Sequence, residues 1–158
     1  MTDKYDVPYM ERTRDYYRAQ GYGTDYEWAH FSDAPFQPLN KPLSESTLAL
    51  ITTAMPDTDE GRSKRQLYSS AIEPVPESMY TDELSWDKSA THTRDVNSFL
   101  PLLQLGKLVE QGKLGGIAQR FHSVPTQYSK RATMEVDAPE ILRRCKEDGV
   151  DIALLVPL

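Results

Sequence analysis

The hydrophobic pattern divides the chain into a few strong elements separated by polar and proline-rich stretches. Residues 46–53, STLALITT, are nearly continuous in apolar and β-branched side chains, as in an internal parallel strand buried on both faces. Ala54, Met55 and Pro56 end it; an acidic linker follows from Asp57 to Gly61, and GRSKRQ reads as a brief basic turn. A weaker strand is expected from Gln66 to Ile72, before the PVP at 74–76 forbids regular structure. The strongest helix is predicted from Asn97 to Glu110, where Phe99, Leu102, Leu103, Leu105, Leu108 and Val109 spread over a broad apolar face. Asp95 or Asn97 caps its start, Pro101 is tolerated only near the first turn, and Gly112 offers the stop. For LGGIAQRF at 114–121 the spacing leaves strand and short helix open. Asp137 is expected to cap a last helix with Pro139 near its first turn. Its inner face is Ile141, Leu142 and Cys145, and Gly149 ends it. DIALLVPL then reads as a buried strand, so helix, glycine and strand together suggest a βαβ unit.

The amino-terminal stretch follows another pattern. YMERTRDYYRAQ at 9–20 is a short amphipathic helix with Tyr9, Tyr16 and Tyr17 set to pack and Arg12, Asp15 and Arg18 set toward water. Gly21 and Gly23 break it. The following GYGTDYEWAHFSDAPFQPLNKPL reads as an irregular arm whose aromatics pack on the body or on a partner. Nine of the fifteen aromatic residues precede residue 40, which makes the arm distinct from the rest. The expected organisation is an aromatic and proline-rich arm over 1–44 and an α/β domain over 45–158. The expected fold class is α/β, an open, mostly parallel three-layer sheet of Rossmann-like or flavodoxin-like type, incomplete at its last strand.

Composition narrows the function classes. With 158 residues and 39% hydrophobic content, the chain can bury a core without disulfides. The one cysteine, Cys145, can form neither an internal disulfide nor a multi-cysteine zinc site, and on an inner helix face it reads as an inert small hydrophobe. A net charge of −6 argues against general nucleic-acid binding. No apolar run approaches membrane-span length and the start lacks a secretory apolar core, so a cytoplasmic, non-membrane protein is expected. Neither a GxGxxG fingerprint nor a GxxxxGKS/T loop is present, and the glycines at 112, 115 and 116 read as turns and close packing. No HExxH is present, and His30 lies apart in the arm, so no metal is expected.

Several residues carry candidate chemistry. His92 precedes Asp95 by three, a spacing that suits a tuned proton donor, a surface pair or a loop clasp equally. Arg94 offers a bidentate clamp for a substrate carboxylate, or simply faces solvent. Asn97 is a helix-entry polar anchor. Thr52 and Thr53 close the first strand at the end that faces the ligand crevice of an open sheet, although strand propensity alone accounts for threonine there.

Three segments together resemble a known family. LALITTA at 48–54, HTRDVNSFLPLLQLGKLVEQGKLGGIAQRFH at 92–122 and the terminal EDGVDIALLVPL resemble the glycine/sarcosine/betaine/D-proline reductase family, and within it the selenoprotein B-type component. The resemblance covers roughly residues 45–158. It implies a reductase that cleaves a carbon–nitrogen bond of a small amino acid or N-methylated derivative. It also implies a redox motif directly after the final strand: selenocysteine or cysteine, two residues, then cysteine. Such a pair is expected beyond Leu158, because the chain itself holds none. Either a UGA selenocysteine codon read as stop or a redox segment on another chain accounts for this. The 158 residues alone are then expected to be inactive. His122 resembles a histidine at this place in the family, with a core or surface role equally open; the candidate catalytic residues are then His92, Asp95 and His122, and the candidate substrate-binding residues Thr52, Thr53, Arg94 and Asn97. The implied partners are a second copy or other reductase subunits, and a small thiol or selenol electron donor. The alternative is a non-catalytic binding or scaffold subunit of a larger complex.

Overall fold

The computed structural model describes residues 8–24, 30–34, 36–64, 66–81, 92–126 and 129–158. The chain divides into two units between Gln37 and Pro38. In the first, helix α1 spans Tyr9–Ala19, as the periodicity predicts. It closes on Gly21, whose φ of 88° turns the backbone so that Gly21 N–H meets Arg18 O at 3.0 Å and Tyr22 N–H meets Tyr17 O at 3.2 Å. No residue of α1 is buried, and Tyr9 and Tyr16 are exposed. Tyr17 instead meets Tyr16 and Tyr22 edge-on, with ring centroids 5.7 and 5.6 Å apart. Tyr22, Phe31 and Phe36 are exposed.

The second unit is built on an open, mixed but mostly parallel sheet. Its central strand, β1 (Thr47–Thr52), is buried along almost its whole length, as its continuous apolar run requires. A small antiparallel pair follows, β2 (Met55–Pro56) with β4 (Met79–Tyr80), flanking helix α2 (Asp59–Ser63) and strand β3 (Tyr68–Ala71). LGGIAQRF resolves into strand: β5 (Gly116–Ile117) and β6 (Arg120–Ser123) both lie parallel to β1 along one edge. Thr47 and Leu48 face Gly116 and Ile117, whereas Ile51 and Thr52 face His122 and Ser123. Ala118–Phe121 therefore bulge opposite Ala49 and Leu50. β3 pairs antiparallel with β6, and β7 (Ile152–Val156) runs parallel along the other edge of β1.

The helices depart from expectation where proline intervenes. Helix α3 covers Leu102–Glu110, not the whole of 97–110. Pro101 has no N–H and its ring opposes a helical turn before it, so Val96–Ser98 form a separate 3₁₀ turn, capped by Asp95. Asp137 does not cap the last helix: its backbone is helical and it makes no capping bond. That helix starts earlier, as α4 (Lys130–Ala132), where Ser129 Oγ accepts the Ala132 N–H at 3.2 Å. It passes through a π turn at Thr133–Asp137 into α5 (Ala138–Glu147). Pro139 cannot donate to the carbonyl of Glu135, and the widened turn accommodates that break without ending the helix. α3 and α5 both stop on positive-φ glycines, Gly112 and Gly149, as predicted.

Alternate residues of β1 feed two clusters. Leu48 and Leu50 join Phe99, Leu100, Leu102, Leu105 and Phe121 in the main core; Ala49 joins Ala118 and Cys145, with Ile141 and Val150 packed on them. The second cluster uses small side chains, which lets α5 approach the sheet closely. β7 is not buried on both faces. Ile152, Leu154 and Val156 pack on the main core, but Ala153 is exposed and Leu155 is 66% exposed. Leu142, expected on the inner face of α5, is 54% exposed, so α5 does not cover that side of β7. Among the described residues no helix is long and apolar enough to cross a membrane.

Candidate functional site

The period of two along β6 sends neighbouring residues to opposite faces. Phe121 enters the main core, while Arg120 and His122 reach side chains associated with α5. Arg120 Nε donates to Asp148 Oδ2 at 2.7 Å, and its Nη2 lies 3.5 Å from Glu147. His122 is fully buried and opposite Ser69 in the β3–β6 register, with Ser69 Oγ 2.8 Å from its Nδ1. Ser69 Oγ also accepts from Arg144 Nη1 at 2.7 Å, and Arg144 Nε donates to Glu140 Oε1 at 2.8 Å. A continuous polar chain thus runs from the surface carboxylate of Glu140 through Arg144 and Ser69 to the buried imidazole. At its inner end, among the described residues, His122 Nε2 has no hydrogen-bond partner, nor have the buried Ser123 Oγ and Asp137 Oδ2.

The electrostatics follow from this arrangement. Burial pushes His122 below the ordinary histidine range; the positive charges of Arg120 and Arg144 add to the effect, and Asp148 opposes it. Hydrogen bonds from Arg143 and Arg144 hold Glu140 down at about 2. Burial pushes the Cys145 thiol up, which disfavours a reactive thiolate.

One expected outcome follows for pH. The folded state holds His122 neutral where the unfolded chain, with an ordinary histidine pKa near about 6.5, begins to bind a proton. This contribution is complete above about pH 6.5 and is lost as pH falls toward the lowered folded value. The slope approaches at most about 1.4 kcal/mol per pH unit for one proton. Urea unfolding between pH 7.5 and 5 should show the decline, and His122→Gln should flatten it; an unchanged slope would contradict the assignment.

The other candidate residues fall into two places. Thr52 is buried at the carboxyl end of β1, its Oγ1 accepting the Ala54 N–H at 3.3 Å; Thr53 Oγ1 accepts the Leu158 N–H at 2.9 Å. They share with His122 and Ser123 the carboxyl edge of the parallel strands. His92, Arg94 and Asp95 are exposed in the segment before α3. Asp95 Oδ1 accepts the Asn97 N–H at 3.1 Å, so Asp95 rather than Asn97 is the cap. Among the described residues no hydrogen bond joins His92 to Asp95. The hydroxyls of Thr81 and Thr93 bond to each other and tie this segment to the residues after β4.

Sequence reasoning missed Ser69, Arg144, Glu140 and Asp137. The i,i+4 spacing of Glu140 and Arg144 signals only a helical ion pair, and nothing local marks Ser69. No protein-family model, curated protein or solved structure matches the chain.

Proposed function

We propose that this chain supplies the substrate-holding α/β part of a reductase-like oxidoreductase. It would act on a small amino acid or N-methylated derivative together with a selenocysteine or cysteine redox pair. The observation that carries the reading is the polar carboxyl edge of the sheet. There Thr52 lies in register with Ser123 on one side and Val156 on the other, with His122 one residue before Ser123. In open α/β sheets ligands gather at this edge. The two clusters fed by alternate β1 residues support a three-layer arrangement of Rossmann-like or flavodoxin-like type. The likeness to the glycine/sarcosine/betaine/D-proline reductases supplies the chemistry: the redox pair follows the last strand, near the end where Leu158 is tied to Thr53. The exposed Arg94 is suited to a substrate carboxylate, and His92, Asp95 and Asn97 lie in the same segment.

The coding sequence after the Leu158 codon tests this. A UGA or cysteine codon, two further codons and a cysteine codon are expected; their absence, together with the absence of such a pair on any chain that co-purifies with this one, overturns the reading. Protein extended through these codons should show a redox-active pair by thiol or selenol labelling and mass spectrometry. The 158-residue chain should show no dithiol-dependent turnover.

A second reading, a non-catalytic scaffold subunit within such a complex, is favoured by β7. Among the described residues no strand pairs with its outer edge, and Leu155 is exposed beside it. Sedimentation that finds only monomer at all concentrations, with no larger species on adding the other subunits, would remove this reading.

A further inference from the structure

The partners of Ser69 decide the state of the buried imidazole. A guanidinium only donates, so Arg144 Nη1–H occupies one lone pair of Ser69 Oγ at 2.7 Å. Ser69 has a single hydroxyl proton, and among the described residues its acceptor is His122 Nδ1 at 2.8 Å. Were Nδ1 protonated, it and Arg144 would both donate to the same oxygen and the hydroxyl proton would have no acceptor. Nδ1 is therefore the acceptor, and the proton of the neutral ring sits on Nε2. A second ring proton would place an imidazolium beside Arg144 and Arg120, with only Asp148, already bonded to Arg120, to oppose them.

This leaves Nε2–H as a buried donor with no acceptor among the described residues, although buried polar groups in folded proteins are almost always satisfied. A second unsatisfied group belongs to the same helix. Asp137, at the start of α5, lies seven residues before Arg144, two turns along one face, and its Oδ2 is a buried acceptor without a donor among the described residues. The carboxyl end of α5 is fixed to the start of β6 by Arg120 and Asp148, so Asp137 lies toward the carboxyl edge of the strands. Toward the carboxyl edge β6 thus carries a buried donor and the start of α5 a buried acceptor, neither with a partner among the described residues.

We propose that Ser69 and Arg144 are positioning residues that hold His122 as an Nε2–H donor for the carbonyl or carboxylate oxygen of a small ligand bound at this edge. Glu140 orients Arg144, and Asp137 faces the donor end of such a ligand. The inference rests on the proposed function for where the ligand enters, at the carboxyl edge, but its test needs no redox pair.

Nitrogen-15 NMR of histidine-labelled full chain at pH 7.5 reads the tautomer directly. The Nε2-protonated pattern is expected for His122; an Nδ1-protonated or doubly protonated ring overturns the proposal. Acetate and glycine serve as probes, the first offering only an acceptor and the second a donor as well. Either should move the His122 Nε2 resonance saturably, and glycine should bind more tightly because of Asp137. Ser69→Ala should weaken the response by at least tenfold and mix the tautomers, whereas Ser69→Thr should retain both. A wild-type Nε2–H that exchanges with a bound water and ignores both probes also overturns the proposal. If Ser69→Ala does not fold, the wild-type tautomer and titration decide alone. A redox pair absent both from the downstream codons and from any co-purifying chain would sink the reductase reading while leaving these measurements intact.

Discussion

Phe121→Ala should lower the unfolding free energy by about 3–5 kcal/mol, the range for emptying a buried aromatic site. Phe121 is essentially inaccessible and packs with Leu48, Leu50, Phe99 and Leu100. The surrounding side chains come from β1, α3 and the turn before it, so collapse onto the cavity would require several elements to move together. In urea titrations the midpoint should fall with little change in slope, and Phe121→Leu should restore most of the loss. A loss below about 1 kcal/mol would mean that the site relaxes freely and that the core is not organised as described. The same substitution bears on function, because Phe121 anchors the strand between Arg120 and His122. Loosening it should also disturb the His122 tautomer.

Gly115→Ala should cost about 3 kcal/mol, at the upper end for overpacking, while Gly116→Ala should cost no more than about 1. A Cβ at Gly115 would lie 2.5 Å from Glu45 C, 2.6 Å from Ser46 N and 2.8 Å from Ser46 O. These are backbone atoms and cannot swing aside. The approach is needed because Gly115 N–H donates to Leu43 O at 3.0 Å and Gly116 N–H to Ser46 O at 3.1 Å, opening the β1–β5 ladder. A Cβ at Gly116 meets nothing within 4 Å. Paired thermal and urea unfolding of the two variants checks the contrast. Equal losses would show that close approach is not what the first glycine serves.

Much of the frame was legible because it depends on local chemistry. The apolar run of β1, the α1 pattern and the glycines at 21, 112 and 149 each act within a turn or two of chain. Local reasoning failed where a proline left more than one solution. Pro101 delayed α3, and Pro139 was absorbed inside a longer helix through a π turn, which no spacing rule anticipates. Cys145 lies on the inner helix face as expected, packed on Ala49 and Ala118, and burial pushes its thiol pKa up.

The candidate site was legible only in fragments. Thr52, Thr53 and His122 could be named from strand ends and from a resemblance, but the partners that give His122 its state lie 53 residues away at Ser69 and, beyond it, on α5. By itself the sequence determined the central strand β1, the helical character of 9–19 and 102–110 and the glycine stops, because these follow from periodicity and backbone preference. Only the tertiary structure decided three further points. LGGIAQRF became two strands about a bulge, β7 remained open on one face, and a buried imidazole came to face a serine and an arginine. Register, edge position and buried hydrogen bonding depend on which strands and helices become neighbours, and that information is not local to any segment.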